Sequence, residues 1–392
     1  LAPGGAIIKQ SAADAKLMQH EGRAVVFENA ADLAERLDRD DLDVKAEDIL
    51  VLKNIGPKGA PGMPEAGYLP IPRKLARAGV KDMAAIAAFA LAVLGFTAVV
   101  DSGVWLTFAM MALYATLLAQ SWNLLGGFGG QFSFGHALFF GCGAYVQAIA
   151  QVTHGINPWL ALVLAVAVAV AVGLFVGALS FRYGLKGSYF ALVTLAFAEV
   201  FRVLAVSVGF TGGGVGMMVP LAESFANMQF ATRKGYIVLV LAFVVAALLA
   251  TAWLRHSRFG AQLQAVRDNE DAARALGVDP FRVKLGAIAL SAAFMGAGGA
   301  FYVQVFQYID PAIAFGPHTS VEALVAAIVG GMGTLWGPLA GALVLHTLAE
   351  LTRNLFGALP GINMVIYGCV LILIVMFVPR GLTGLAARWR RD

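Results

Sequence analysis

The sequence predicts an all-α polytopic membrane protein of about 8 to 10 transmembrane helices, preceded by a short α/β-like soluble segment. Three observations lead there. Hydrophobic residues make up 59% of the 392-residue chain and charged residues only 13%, about half the charge of an average soluble protein. The charge is unevenly placed, because residues 1 to 83 hold 12 of the 28 Lys/Arg and 13 of the 24 Asp/Glu. From Ala84 onward, apolar runs long enough to cross about 30 Å of hydrocarbon recur to the end of the chain. Two domains are therefore expected, at 1–83 and 84–392.

In the first, "GRAVVFEN" and "DILVLKN" are β-branched runs suited to strands, and "NAADLAERLD" between them suits a helix. Asn29 is the expected N-cap, with Asp32 three residues on as its box-like partner. Gly and Pro then recur too often in "NIGPKGAPGMPEAGYLPIP" for either helix or strand. The chain opens on Leu1 without an n-region, h-region and cleavage site, so its start reads as truncated. Cys142 and Cys369 both fall in apolar runs, which leaves neither a disulfide framework nor a thiolate metal site.

In the second, spans are expected near 84–100, 104–124, 134–151, 158–181, 188–208, 236–254, 285–307, 320–333, 337–350 and 362–378. The eighth and ninth are short and could be one broken helix. Orientation follows from Lys/Arg near span ends. Arg255, Arg258, Arg267, Arg274, Arg282 and Lys284 share one loop, and the tail carries Arg380, Arg388, Arg390 and Arg391, so both should be cytoplasmic. Arg73, Lys74, Arg77, Lys81, Arg182 and Lys186 agree, whereas Arg233 and Lys234 fall outside. The net charge of +4 is thus distributed by side of the membrane and calls for no nucleic-acid partner.

The loop "SRFGAQLQAVRDNEDAARALGVDPFRVKL" carries the most functional information. "RDNEDAARALG" reads as a short helix with Asp268 or Asn269 as cap, acids in the first turn and Gly277 as its αL stop. Asp279 and Pro280 then restart a helix into the next span. A short helix held between two breaks is well built to be gripped by a partner. Asp271, Ala272 and Ala273, then three residues ending in Leu276, then Gly277, resemble the "EAA…G" signature of ABC-importer permeases. The resemblance implies a coupling helix seated in an ATPase subunit. Asp271 replaces the Glu, unless Glu270 takes that role, and the later Pro of the signature is missing.

Seven glycines between Gly126 and Gly143 let backbones approach closely and let a helix break where protein shields it. Gln131, Ser133 and His136 are the polar groups there, either as packing residues or as part of a solute path. Glu199 lies near the middle of the fifth span, where an ionisable group costs roughly 3 kcal/mol or more unless paired or hydrated. Arg202, one turn away, is its natural partner, and the pair is either structural or part of the translocation path. Glu350 and Arg353 make a similar pair near a span end. No GxxxxGK[ST] occurs, since "TGGGVG" lacks the lysine and "GLKGS" has the wrong spacing, so no ATP site is encoded. Cofactors in this chain are expected to be none.

Two wider resemblances cover the chain. "LAPGGAIIK", "GRAVVFE", "VLKNIGPKGAPGMPE" and "LPIPRKL" resemble the C-terminal region of the dihydroxy-acid and sugar-acid dehydratase family. That resemblance implies an iron–sulfur enzyme in which Glu65 is a divalent-metal ligand. After "GVKDM", however, "AAIAAFALAVLG" stands where the family's serine motif should begin, and the cluster cysteines are absent. A lone carboxylate holds no metal and does no acid–base work by itself, so no dehydratase activity is expected. From 84 to 392, "SWNLLGGFGGQFSFGHALFFGCGAY", "GSYFALVTLAFAEVFRVL", "TGGGVG", "VRDNEDAARALGV", "VGGMGTLWGPLAGA" and "FVPRGL" resemble the branched-chain amino acid permease subunits of ABC importers, LivM type. That implies a bacterial inner-membrane subunit with cytoplasmic termini. Its implied partners are a second related permease, two ATP-binding subunits and an extracytoplasmic solute-binding protein. The junction near residue 83 reads as two unrelated frames joined, by gene fusion or in sequence assembly. The rivals are an ion-coupled transporter using Glu199, and a tethered dehydratase completed by another polypeptide.

Overall fold

A computed structural model describes residues 23–37, 39, 41–45, 48–53, 81–356, 365–366, 368–369 and 381–383. It divides into two compact units, Leu1–Lys81 and Asp82–Asp392. Most of the expected span at 362–378, the basic tail and Glu65 lie outside the described residues.

In the first unit, strand β1 (Ala24–Phe27) leads through helix α1 (Ala30–Arg36) to strand β2 (Ile49–Leu52). The strands pair in parallel, with Ala24 opposite Ile49 and Phe27 opposite Leu52. The cap forms as the sequence suggests: Asn29 Oδ1 accepts from the Asp32 amide at 2.9 Å, and Asp32 Oδ2 accepts from the Glu28 amide at 2.9 Å. Val25, Phe27, Leu33, Leu37, Leu42 and Val44 form the described core of this unit. That is a small core for an independent fold.

The second unit is a helical bundle. Helices α2 (Lys81–Val99) and α3 (Gly103–Asn123) come first, and α3 runs on into a π-helical turn over Leu124–Phe128. After a non-helical stretch follow α4 (His136–Val152), α5 (Pro158–Arg182), α6 (Gly187–Ser207) and α7 (Arg233–His256). Two short helices, α8 (Arg258–Asp268) and α9 (Glu270–Ala275), precede the long α10 (Pro280–Phe306). The described bundle closes with α11 (Pro311–Phe315), α12 (Pro317–Gly330) and α13 (Gly337–Phe356). Prolines at the first helical turn open α5, α10, α11 and α12, where a missing amide proton costs nothing. Asn157, Asp279 and Asp310 cap the first three of these with side-chain oxygens.

Seven helical segments among the described residues are long and apolar enough to cross a bilayer: 82–99, 103–128, 158–182, 187–207, 233–256, 280–306 and 311–330. The expected span at 134–151 becomes α4, whose 17 residues are enclosed by protein and need little contact with lipid. α4 packs tightly against α10, and a side chain at Gly143 would strike the backbone of Gly296. The expected eighth span, 320–333, starts too late: it is the second half of a helix that begins at Pro311 and breaks at Gly316. α12 and α13 are separate helices folded back on each other, with Gly341 set against Ala326 and Gly330. The turn between them is fastened by Asn123, which accepts from the Gly333 amide at 2.7 Å and donates to the Thr334 carbonyl at 3.0 Å. Of the basic residues that strain the charge rule, Lys234 is neutralised by Asp101 at 2.6 Å and Arg233 donates to the Gly103 carbonyl.

Candidate functional site

The loop between α7 and α10 folds as two helices broken at Asn269. Ser257 caps α8 by accepting from the Gly260 amide at 3.0 Å. Asn269, with extended backbone at φ −157, caps α9 by accepting from the Ala272 amide at 3.0 Å. Gly277 ends α9 at φ +84, a conformation that disfavours any residue with a Cβ. There the Val278 amide reaches the Ala273 carbonyl, satisfying an orphan acceptor of the helix end. Asp279 then caps α10 by accepting from the amides of Phe281 and Arg282.

Glu270 decides how α9 sits. Its carboxylate bonds Lys284 at the base of α10 at 2.7 Å and Lys186, the residue before α6, at 3.0 Å. Lys284 is only 5% exposed and Glu270 14%, and the ammonium also lies 5.6 Å from the Phe181 ring centre. Burial works to raise the carboxyl's pKa, but the hydrogen bonds from Lys284 and Lys186 outweigh it and hold Glu270 below the ordinary carboxylate value. Ala273 packs inward at 2% exposure. The outward side carries Asp271, 86% exposed, and Leu276, 65% exposed. The sequence left open whether Glu270 or Asp271 fills the acidic position of the signature, and the geometry separates them: Glu270 binds the chain itself and Asp271 faces away.

The loop also rests on the glycine-rich segment. Arg267 donates to the Gly127 carbonyl at 3.2 Å, and its aliphatic stem covers Gly130. Beyond it, residues 129–135 run without helix through the protein interior, where shielded backbone is tolerated. Ser133 accepts at its carbonyl from Trp122 Nε1 at 2.8 Å, and Gln131 Nε2 donates to the Gly129 carbonyl at 3.2 Å. His136 Nε2 lies 2.9 Å from Ser291 Oγ, while Ser121 and Ser291 exchange hydroxyl-to-carbonyl bonds at 2.8 and 2.7 Å. All three residues named from this segment are buried.

Glu199 and Arg202 lie elsewhere, on the open side of α6. They form a two-pronged pair, Nε to Oε2 at 2.8 Å and Nη2 to Oε1 at 2.6 Å. The structure therefore does not bring the five polar residues into one site: three stitch the interior and two are exposed. A further ionisable pair escaped the sequence reading. His318 Nδ1 stands 3.8 Å from Glu322 Oε2 on α12, well inside the 311–330 span. The signal, "PHTSVEALVAA", was available, but a span drawn from residue 320 left Glu322 at an edge. Among the described residues, no group of three or more His, Cys, Asp or Glu side chains could hold a metal ion.

Comparison with known proteins separates the same two regions. Residues 1–88 match the dihydroxy-acid/6-phosphogluconate dehydratase C-terminal family. Over 86 residues, 22% of this chain, they are 51% identical to an L-arabonate dehydratase of Azospirillum brasilense, covering 15% of that enzyme. Over 300 residues, 70% of this chain, the sequence is 28% identical to the high-affinity branched-chain amino acid transport system permease protein LivM of Salmonella typhimurium, covering 68% of it. The LivM protein of Escherichia coli is 27% identical over the same length. No solved structure matches. With the greater part of the bundle, residues 104–375, matching the family described as branched-chain amino acid transport system / permease component, the chain belongs to that family of permeases.

Proposed function

We propose that this chain is the membrane-spanning permease subunit of an ATP-driven ABC importer for branched-chain amino acids, and that α9 is where the motor grips it. The observation that carries this is the division of α9. Its inner side is bound to the bases of two spans through Glu270, while Asp271 and Leu276 are offered outward. A helix ordered by its own chain, yet presenting an acid and an apolar side chain, fits a socket in another protein. A push on α9 would reach α10 through Lys284 and α6 through Lys186 with no intervening flexible segment.

In this reading the assembly also holds a second related permease, two ATP-binding subunits and an extracytoplasmic solute-binding protein. It sits in a bacterial inner membrane, with the loop Arg255–Lys284 and both termini cytoplasmic, the side to which Lys/Arg are biased. Residues 84–392 form the transport domain, and 1–83 are a non-catalytic dehydratase-like segment. Gln131, Ser133 and His136 shape the path from behind as its scaffold. The test is co-purification of the ATP-binding subunits with the Asp271→Lys and Leu276→Glu variants. Both should lose the ATPase and leucine uptake while the chain itself folds and inserts. Retained association and uptake in both variants would overturn the docking role of α9.

A further inference from the structure

We propose that Arg267 is a second transmission point of the transport cycle: it ties the motor-gripped loop to the broken inner end of α3, so that α3 and the α12–α13 turn follow when the loop is pushed. The proposal rests on the importer reading above and adds to it a positioning residue outside α9. Glu270 carries a push on α9 to α10 and α6, and neither α3 nor the α12–α13 turn is reached that way. Arg267, two residues before the cap of α9, closes that gap. Its Nη1 donates to the Gly127 carbonyl at 3.2 Å, while Nε donates to Asp268 Oδ1 at 3.0 Å. Gly127 belongs to the π-helical turn that continues α3. On its other side the same turn meets the α12–α13 connection, because a side chain at Gly127 would strike the Gly333 amide nitrogen and Asn123 Oδ1. Asn123 holds Gly333 and Thr334 by two hydrogen bonds. Gln120, one turn earlier on α3, donates to Thr251 Oγ1 of α7 at 2.7 Å. The inner end of α3 is therefore a junction of the loop, α7 and the α12–α13 turn.

The local backbone suits this junction to displacement. α3 loosens from α to π geometry at Leu124 and leaves helix altogether at residue 129. Single π-helical turns occur frequently at functional positions, and hinges form where a few residues at the end of an element absorb the backbone change. The facing surfaces are backbone: Gly127 lies against Gly333, and Gly130, at φ +64, lies beneath the aliphatic stem of Arg267. Such surfaces have no interlocking side chains to repack when they shift. What holds them then decides which way they go. Leu263 of α8 packs beside Gly129, an apolar contact with no preferred direction. Among the described residues, the hydrogen bond that joins the loop to this end of α3 is the one from Arg267.

The test uses the assembled importer in lipid vesicles. Arg267→Met keeps an aliphatic stem over Gly130 and removes the donor, whereas Arg267→Lys keeps a cationic donor. The Met variant should co-purify with the ATP-binding subunits in normal yield and hydrolyse ATP at the unmodified rate. Its leucine uptake per ATP should fall about tenfold, the scale of one hydrogen bond from a charged group. The Lys variant should recover a large part of that ratio. In the unmodified assembly, trapping with ATP and vanadate should change amide hydrogen exchange in both 270–276 and 124–131. In the Met variant only the first change should remain. Uptake and hydrolysis that fall together, or a change at 124–131 that survives Arg267→Met, would make Arg267 scaffold alone and overturn the proposal. Unchanged uptake, or no change at 124–131 in the unmodified assembly, overturns it equally. Loss of the ATP-binding subunits from the Met variant would make Arg267 part of the docking surface, which also defeats the proposal. Failure of those subunits to co-purify with the unmodified chain would instead sink the importer reading, whatever Arg267 does.

Discussion

Two glutamates in this bundle carry the same chemistry and do opposite work. Glu270 binds cations from two other elements, one of them almost fully buried, and so fastens α9 to α6 and α10. Glu199 binds a residue three positions away on its own helix and joins nothing to anything else. Removing the first leaves a buried ammonium without its counter-charge. Removing the second leaves the fold of the chain as it was, so its presence has to be explained by what the face meets. An ion pair that bridges elements is framework, and one that lies within a helix at membrane depth points to the surroundings of the helix.

That contrast can be broken by measurement, beginning where the effect is largest. Glu270→Ala should destabilise the purified chain by about 3 kcal/mol, because Lys284 stays buried and unpaired. The double variant Glu270→Gln, Lys284→Met should recover most of that loss in thermal denaturation. Failure to recover would mean that the pair is not the fastening. Next comes pH. Since the folded-state pKa of Glu270 lies below its ordinary value of 4.5, its contribution is complete above that value. It should fade as pH falls further, through the lowered pKa, in a melting series that the Glu270→Gln chain does not follow. Asn269→Ala removes the cap of α9 and should cost about 1 kcal/mol, read by local hydrogen exchange of residues 270–276. Smallest of all, Glu199→Gln with Arg202→Gln should leave the melting of the isolated chain nearly unmoved, and a loss as large as that of Glu270→Ala would erase the distinction.

Local chemistry made much of this legible in the sequence. The Asn29 box, the αL stop at Gly277, the Asp279–Pro280 restart and the Glu199–Arg202 pair are each set by residues within a few positions of one another. What stayed hidden depends on distant partners. Nothing near Glu270 announces Lys186, which is 84 positions earlier and brought alongside by the α5–α6 turn. Nothing near His136 announces Ser291, so a polar residue in a glycine-rich run could be read equally as path or as packing. The start of the 311–330 span was missed for another reason. The sequence reading begins the span at residue 320, whereas the structure uses Pro311 and Pro317 to open helices and Gly316 as the break between them. That error concealed the depth of Glu322.

The non-helical stretch before α4 bears on how the chain is made. The Ala137 amide bonds the Ser320 hydroxyl, and His136 Nε2 the Ser291 hydroxyl, residues that leave the ribosome more than 150 positions later. Until they arrive, the entrance to α4 has polar groups that a bilayer will not accept. Integration of α4 must then wait for its later partners, with the segment held at the translocon or the membrane surface during synthesis. Nascent chains halted before Ser291 should leave Cys142 of α4 open to a charged thiol reagent, and protection of Cys142 in such chains would show that α4 enters unaided.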